Sequence, residues 1–449
     1  MFKNYCDCEE AIADRVLDCA DKYKKKLYFN DYDLKPAFIR KLWFRFISQN
    51  QSWCEKNLLD NYSYEKILLN LSKTRTFYHA GLENISGLRY FQNKFNWLNF
   101  NSQKIIKNKT LIIVRNWKHA NYLKKSKFFN ELNPLWLVDS PKMAFNIGLN
   151  KDDLIVPFFK PFFRSSSIYP LNELKNLLKS LETTLLNIKP SSVFVVEGDA
   201  PYHALLAEIG IKLNIPVYCF QWGVFHQNKL RTAFSHMRFK RFLSWGPAFK
   251  NQLKPYNPDQ VIVPFGYLNN SLIKTKGNRI IFLSQRSSGF IKNQDQELFL
   301  KLAIKLAKTF PNKVDWRPHP DFQATSDEIT KLKLGKVNLL SSKDNLIDQL
   351  QNASVAIAIS SSSLIDALYA GVIPISFNTT CLTKYPFPLI KKKVGFEYNT
   401  FDKAFEKITN ILSNKDRIKK IQNNIDFSSN FFFSKKTLVK RKKYIHLLS

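Results

Sequence analysis

Between Ser192 and Pro264, short runs of uninterrupted apolar residues alternate with helical stretches, and the alternation resumes from Arg279 to Ile375. Ser192-Val193-Phe194-Val195-Val196, Ile215–Phe220, Arg241–Ser244 and Val261–Pro264 read as strands. Strands that are apolar on both faces need cover on both faces, which a parallel sheet flanked by helices supplies. Upstream, Leu111–Val114 and Leu135–Val138 have the same character, and helical segments are expected at Ala37–Ile47 and Tyr64–Leu71. Leu174, Leu177, Leu178, Leu181 and Leu185 recur at helical spacing within Leu171–Ile188, which stops before Pro190. Pro201 suits the first turn of a helix running to Leu213. After a polar link (Asn269–Asn278), strands are expected at Arg279–Leu283, Lys313–Trp316, Val337–Leu340, Val355–Ile359 and Val372–Ile375. Helices at Gln296–Thr309 and Ser363–Ala370 separate them. The fold class predicted is α/β, with two Rossmann-like, doubly wound parallel-sheet domains facing a cleft and a mostly helical N-terminal region. The expected boundaries are 1–105 for that region, 106–275 and 276–425 for the domains, and 426–449 for a basic C-terminal segment.

The 449 residues carry 69 Lys+Arg against 36 Asp+Glu, a net charge of +33. A globular apolar content of 45% excludes a disordered chain. The charge favours polyanionic partners such as phosphorylated substrates, anionic lipid or nucleic acid, although the codons of an AT-rich genome also enrich Lys. Nucleic acid is set aside because the lysines are spread along the chain and no RNP, KH, zinc or helix-turn-helix signature is present. Cys6, Cys8, Cys19, Cys54, Cys219 and Cys381 lack disulfide-framework or zinc spacing, so the thiols read as reduced and intracellular. Met1–Asp7 carries charge where a signal peptide needs an apolar run, and no run approaches 18 uncharged apolar residues. A cytoplasmic protein is expected. Phe158–Arg164 and Phe431–Lys436 mix aromatics with cations as interfacial anchors do, which suggests contact with the anionic inner face of the cytoplasmic membrane.

In open α/β sheets, ligands bind outside the carboxyl ends of the strands. That rule selects candidate residues. Glu197-Gly198-Asp199 follows Val196, and a carboxylate there can accept a proton from an acceptor hydroxyl; the alternative for Asp199 is to cap the helix that begins at Pro201. Gln221, Trp222, Gly223 and His226 follow Phe220 and are expected to line the cleft or the acceptor site. Gln285, Arg286 and Ser287 follow Leu283 as a candidate phosphate cradle. Arg317 and His319, the latter between Pro318 and Pro320, suit a phosphate through charge-assisted bonds. Ser361, Ser362 and Ser363 open a helix, where hydroxyls and unpaired N–H groups favour an anion or simply cap the helix.

Two Rossmann-like halves carrying Glu197-Gly198-Asp199, His319-Pro320 and the serines of 360–363 resemble the GT-B glycosyltransferases of bacterial surface polysaccharide biosynthesis. Nearest in pattern are the CMP-sugar-using capsule sialyl-, polysialyl- and Kdo transferases and the surface carbohydrate biosynthesis proteins. The resemblance spans roughly residues 106–425. It implies an inverting glycosyltransferase with no metal or other cofactor, a nucleotide-sugar donor (CMP-sugar favoured), and a glycan or lipid-linked acceptor on capsule or lipopolysaccharide. Glu197 or Asp199 is then the base, His319 the phosphate ligand, and Ser361–Ser363 phosphate-binding hydroxyls. The family's first motif reads acid-acid-Gly, whereas this chain has Glu-Gly-Asp. Val195–Asp199 and Ile215-Pro216-Val217 are also similar to UDP-N-acetylglucosamine 2-epimerases, which makes a nucleotide-sugar epimerase the alternative. The chain is read as lacking an Asp-x-Asp cation site, which agrees with positive side chains and dipoles taking the place of a metal.

Overall fold

The apolar run Ser192–Val196 forms a strand buried at every position, with a parallel neighbour on each side. It is the sixth of fifteen strands among the described residues of the computed structural model. These are residues 5–47, 109–114, 117–125, 134–138, 154–155, 170–225, 227–267, 277–285, 291–320, 322–359, 361–379 and 394–434. They belong to two units, one built on Glu9–Asn270 and the other on Ser271–Lys435.

The first unit holds a sheet of seven strands: β3 (Thr110–Val114), β4 (Leu135–Val138), β5 (Leu154–Ile155), β6 (Ser192–Val196), β7 (Val217–Phe220), β8 (Arg241–Ser244) and β9 (Ile262–Pro264). Their order is β5-β4-β3-β6-β7-β8-β9 and every pairing is parallel. The chain builds outward from β3 in one direction, then returns to lay β6 on the other side. The carboxyl ends of β3 and β6 therefore flank the point where strand order reverses, which is where such sheets bind ligands.

Helices α1 (Tyr5–Lys22), α2 (Lys35–Ile47), α3 (Trp117–Lys125), α4 (Pro170–Ile188), α5 (Pro201–Lys212), α6 (Gln227–Arg231) and α7 (Pro247–Leu253) complete the described helices of residues 5–270. The five leucines expected to face inward on α4 are all buried. Helix α2 packs on α4 and α5, behind a two-residue-per-strand hairpin, β1 (Tyr28–Phe29) and β2 (Tyr32–Asp33). The described residues 9–47 of the N-terminal region thus belong to the first unit.

The second unit contains β10 (Arg279–Leu283), β11 (Val314–Arg317), β12 (Asn338–Leu339), β13 (Ala353–Ala358), β14 (Ile373–Phe377) and β15 (Phe396–Tyr398), in the order β12-β11-β10-β13-β14-β15. All pairings are again parallel, and the order reverses between β10 and β13. Its helices are α8 (Asn293–Thr309), α9 (Ser326–Leu334), α10 (Leu346–Leu350), α11 (Ser363–Tyr369), α12 (Phe401–Leu412) and α13 (Lys415–Phe432). Helix α13 runs across the boundary expected at residue 425. Phe432 and Phe433 are buried, Phe433 edge-on to Tyr369 at 5.2 Å. Those two rings are core, which overturns their assignment to a membrane anchor; Phe158–Arg164 and the Tyr64–Leu71 helix lie outside the described residues. No helix among the described residues is long and apolar enough to cross a membrane.

Gly210 lets α5 close onto β7. A Cβ there would lie 2.5 Å from the carbonyl oxygen of Ile215 and 2.4 Å from Val217 Cγ2. Alanine gains about 1 kcal/mol of helix propensity, but overpacking against backbone costs about 1–3 kcal/mol. Gly210→Ala is expected to destabilise the protein by up to about 2 kcal/mol in urea unfolding; higher stability would show that the α5–β7 turn relaxes freely.

Candidate active site

Beyond Val196 the backbone turns through two left-handed residues, Glu197 at φ +81° and Gly198 at φ +86°. Glycine is at ease there, while glutamate is strained. A Cβ on Gly198 would lie 2.8 Å from Cys219 Sγ, so no larger residue fits between the turn and β7. The turn is anchored by Glu197 N–H donating to the carbonyl of Phe220 at 2.8 Å.

This conformation sends both acidic side chains toward one cation. Lys229 Nζ lies 2.6 Å from Asp199 Oδ2 and 3.3 Å from Glu197 Oε1. It comes from the short helix α6, whose last turn is tied by Thr232 Oγ1 donating to Asn228 O at 2.7 Å. On the other side, His119 Nε2 on α3 is 3.7 Å from Glu197 Oε2. The alternative role of Asp199, capping the helix that begins at Pro201, is not the one it takes. Ala200 begins α5, and its N–H donates to His203 Nδ1 at 3.0 Å, which leaves the Asp199 carboxylate to Lys229.

The two carboxylates occupy different environments. Asp199 is 4% exposed. Burial works against its charge, but Lys229 and then His203 outweigh it and hold its pKa below the usual range. The Glu197 side chain keeps 27% of its surface exposed. Partial burial, followed by repulsion from Asp199, lifts its pKa to about 7 against the pull of Lys229. Lys229 loses solvation but faces two anions, and its pKa rises. One carboxylate fixed as an anion beside another poised near neutrality is the pattern that divides acid–base roles.

An aromatic row continues from His119. The His119 and Trp222 rings are 4.5 Å apart, Trp222 and Tyr122 5.0 Å, and Tyr122 and Tyr267 6.0 Å. Trp222 is half-buried, and a Cβ on Gly223 would meet no atom within 4 Å, so the backbone there borders open space. Trp222 thus reaches the Glu197 carboxylate through His119, and Gly223 is the next residue in the chain. Gln221 does not line the site: it is 1% exposed, its Oε1 accepts from Trp245 N–H at 2.9 Å, and its Nε2 donates to Gly223 O at 2.9 Å. It pins β7 to the segment after β8. His226 lies outside the described residues.

In the second unit, Gln285 follows β10 and Ser361–Ser363 follow β13, so both flank its reversal point. Ser361 Oγ accepts from Ser363 N–H at 3.2 Å, Ser362 is exposed and Ser363 half-buried. Arg286 and Ser287 lie outside the described residues. His319 occupies a turn one strand over, half-buried, its ring 5.3 Å from Phe322 and its carbonyl accepting Phe322 N–H at 3.0 Å. Arg317 corrects its expectation. It is buried, with Nε donating to Gln349 Oε1 at 2.6 Å and Nη2 to the carbonyls of Ser342 and Asp344 at 3.1 and 3.0 Å. Those bonds fasten the 341–345 loop in place of a phosphate.

His119, Lys229 and Arg40 were not singled out from sequence. His119 was within reach of the strand-end rule, applied to Val114 at the end of β3. Lys229 and Arg40 carry no local signal, since each reaches the turn only through the fold. Arg40, on α2, is fully buried and donates from Nε to Gly198 O at 3.3 Å. The chain does contain an Asp-x-Asp triplet, Asp31-Tyr32-Asp33, and it is the hairpin turn and β2: Asp33 Oδ1 accepts Lys35 N–H at 2.9 Å at the start of α2. Among the described residues, no group of three or more His, Cys, Asp or Glu is arranged to hold a metal ion.

No protein-family profile matches this chain, and no curated protein matches its sequence. Solved structures do resemble it in fold. A Phytolacca americana UGT2 complexed with UDP-2-fluoroglucose and pterostilbene aligns with a TM-score of 0.53 at 11% identity, over 76% of this chain and 98% of that one. A putative UDP-N-acetylglucosamine 2-epimerase from Listeria monocytogenes gives 0.51 at 10% identity, over 70% and 90%. The Neisseria meningitidis UDP-GlcNAc 2-epimerase bound to UDP-GlcNAc gives 0.50 at 13% identity, over 70% and 94%. The fold is GT-B-like.

The raised Glu197 pKa links the site to stability. Between its ordinary value of 4.5 and about 7 the folded state holds more protons than the unfolded state, so stability falls as pH rises through that window. Glu208 on α5, raised to about 7 by burial, contributes in the same direction. Glu197→Gln is expected to remove about 1–3 kcal/mol of this pH-dependent loss, read as a flatter fall in Tm from pH 5 to 8. An unchanged slope would contradict the raised pKa.

Proposed function

We propose that this chain is a nucleotide-sugar-dependent GT-B enzyme, and specifically an inverting glycosyltransferase acting on a glycan or lipid-linked acceptor. The reading is carried by the Glu197–Lys229–Asp199 cluster at the reversal point of the first sheet, with His119 and Trp222 beside it. Glu197 is the assigned base: it is partly open to solvent, and a pKa near 7 suits proton removal from a hydroxyl at neutral pH. Asp199 stays anionic and holds Lys229, whose charge offsets the pair and orients Glu197. Trp222, half-buried next to open backbone, offers a face on which a sugar ring can stack.

The donor phosphate is assigned to the second unit, where His319, Ser361, Ser362, Ser363 and Gln285 follow strand ends at or beside its own reversal point. Arg317 is withdrawn from that set. The His319 imidazole, the hydroxyls and the backbone N–H dipoles stabilising the leaving nucleotide supply the electrostatic term that commonly dominates such catalysis. Neighbours of similar fold carry or act on UDP-sugars, which supports a nucleotide-sugar donor; the preference for CMP-sugars rests on the motif resemblance alone. A UDP-GlcNAc 2-epimerase is the second reading, favoured by the likeness to two such enzymes. It converts donor without acceptor, whereas the transferase releases nucleotide in step with acceptor glycosylation.

The test is mass spectrometry of CMP-, UDP-, GDP- and CDP-sugars incubated with the protein, with and without acceptor glycans. Glu197→Gln is expected to lower kcat by about 10²–10⁴-fold and leave donor affinity within a few-fold. His319→Ala is expected to weaken donor binding in calorimetry. Wild-type transfer rates in both variants would overturn the site assignment, and epimerised donor without acceptor would overturn the transferase in favour of the epimerase.

A further inference from the structure

Arg40 is charged, long and completely buried, and it comes from a helix more than 150 residues upstream of the acidic turn. Burying a guanidinium is costly unless its donors are used. Its three hydrogen-bonded donors go to three carbonyls: Nη1 to Pro36 at 2.8 Å on its own helix, Nε to Gly198 at 3.3 Å, and Nη2 to Ser235 at 3.3 Å. Gly198 is the middle residue of the turn that presents Glu197 and Asp199. Ser235 lies in the segment that follows α6, the helix that carries Lys229, and is tied back to it by Ser235 Oγ donating to Thr232 O at 2.9 Å. One planar fork therefore holds both loops that meet in the ion cluster.

We infer that Arg40 is a positioning residue of the active site: its guanidinium clamps the strained Glu197–Asp199 turn to the Lys229 loop, so that α2 of the N-terminal region is a working part of the catalytic unit. The inference rests on the functional reading above for its kinetic consequences and on geometry alone for the clamp. The turn needs such a hold because Glu197 occupies a left-handed conformation, which is strained for a residue with a side chain. Arg40 also brings a second positive charge to a cluster of two carboxylates and one lysine. The charged and titratable groups facing it are Asp199, Cys219 of β7, Glu208 of α5 and His236 after Ser235; Glu197, Lys229, His203 and His119 act through the cluster.

Two substitutions separate charge from geometry. Arg40→Met removes both, and its kcat is expected to fall by about 10²-fold, the scale of a misplacement near 1 Å. The acid limb of its pH–rate profile is expected to move to higher pH, because the carboxylate pair loses a neighbouring cation. Arg40→Lys restores the charge without the fork, so the limb should return to the wild-type position while kcat stays reduced. A purely structural arginine would lower the yield of folded protein and leave kcat per folded molecule and the limb alone; that result in Arg40→Met overturns the inference.

Should Arg40→Met fail to fold, hydrogen exchange on the wild-type protein decides. Peptides covering 196–200 and 232–237 are expected to lose protection in the same opening event as 36–42. Free exchange of 196–200 while 36–42 stays protected would overturn the clamp. A wild-type protein inert on every donor sinks the transferase reading by itself, and the exchange result still judges Arg40.

Discussion

Two carboxylates carried on one three-residue turn and drawn away from water repel each other unless a cation stands between them. Here that cation is Lys229, 2.6 Å from Asp199 and 3.3 Å from Glu197. Removing Lys229 would leave both carboxylates without their cation, commonly at a cost of about 3–5 kcal/mol. The asymmetry within the set is what makes it chemical. Lys229 is nearer to Asp199, and its attraction outweighs the cost of burying that carboxylate, so Asp199 keeps its charge and Glu197 is left with an affinity for protons suited to exchange near neutral pH.

The scaffold supplies this arrangement by topology. Parallel strands aim all their carboxyl ends the same way, and strand order reverses between β3 and β6, the position at which such sheets take up ligands. His119 enters from the element after β3 and the acidic turn from the end of β6, while β7 supplies the Trp222-Gly223 backbone. Gly198 can take its positive φ and lie against Cys219 only because it has no side chain. The N-terminal helix α2 closes the underside of the turn through Arg40, which explains why a segment without motif of its own packs on α4 and α5.

Part of this was legible beforehand. Apolar runs such as Ser192–Val196 and Arg279–Leu283 announce parallel strands because both faces must be covered, and the rule that ligands gather at strand ends led to Glu197, Asp199 and Trp222 without any partner being known. The same rule misjudged Arg317 and Gln221. Both follow strands, but one fastens a neighbouring loop and the other pins two strands together, since a polar side chain at a strand end can satisfy the backbone as readily as a ligand. It also offered capping for Asp199, a local role that Lys229, thirty residues later, takes away.

By itself the sequence determined the two parallel sheets and the strand ends where acidic and aromatic residues collect, because periodicity and burial are properties of contiguous segments. Only the tertiary structure decided which carboxylate is held as an anion and which is free to exchange protons. That choice depends on burial and on Lys229, thirty residues further along the chain, whose field acts on the turn only once folding has brought it within a few ångströms.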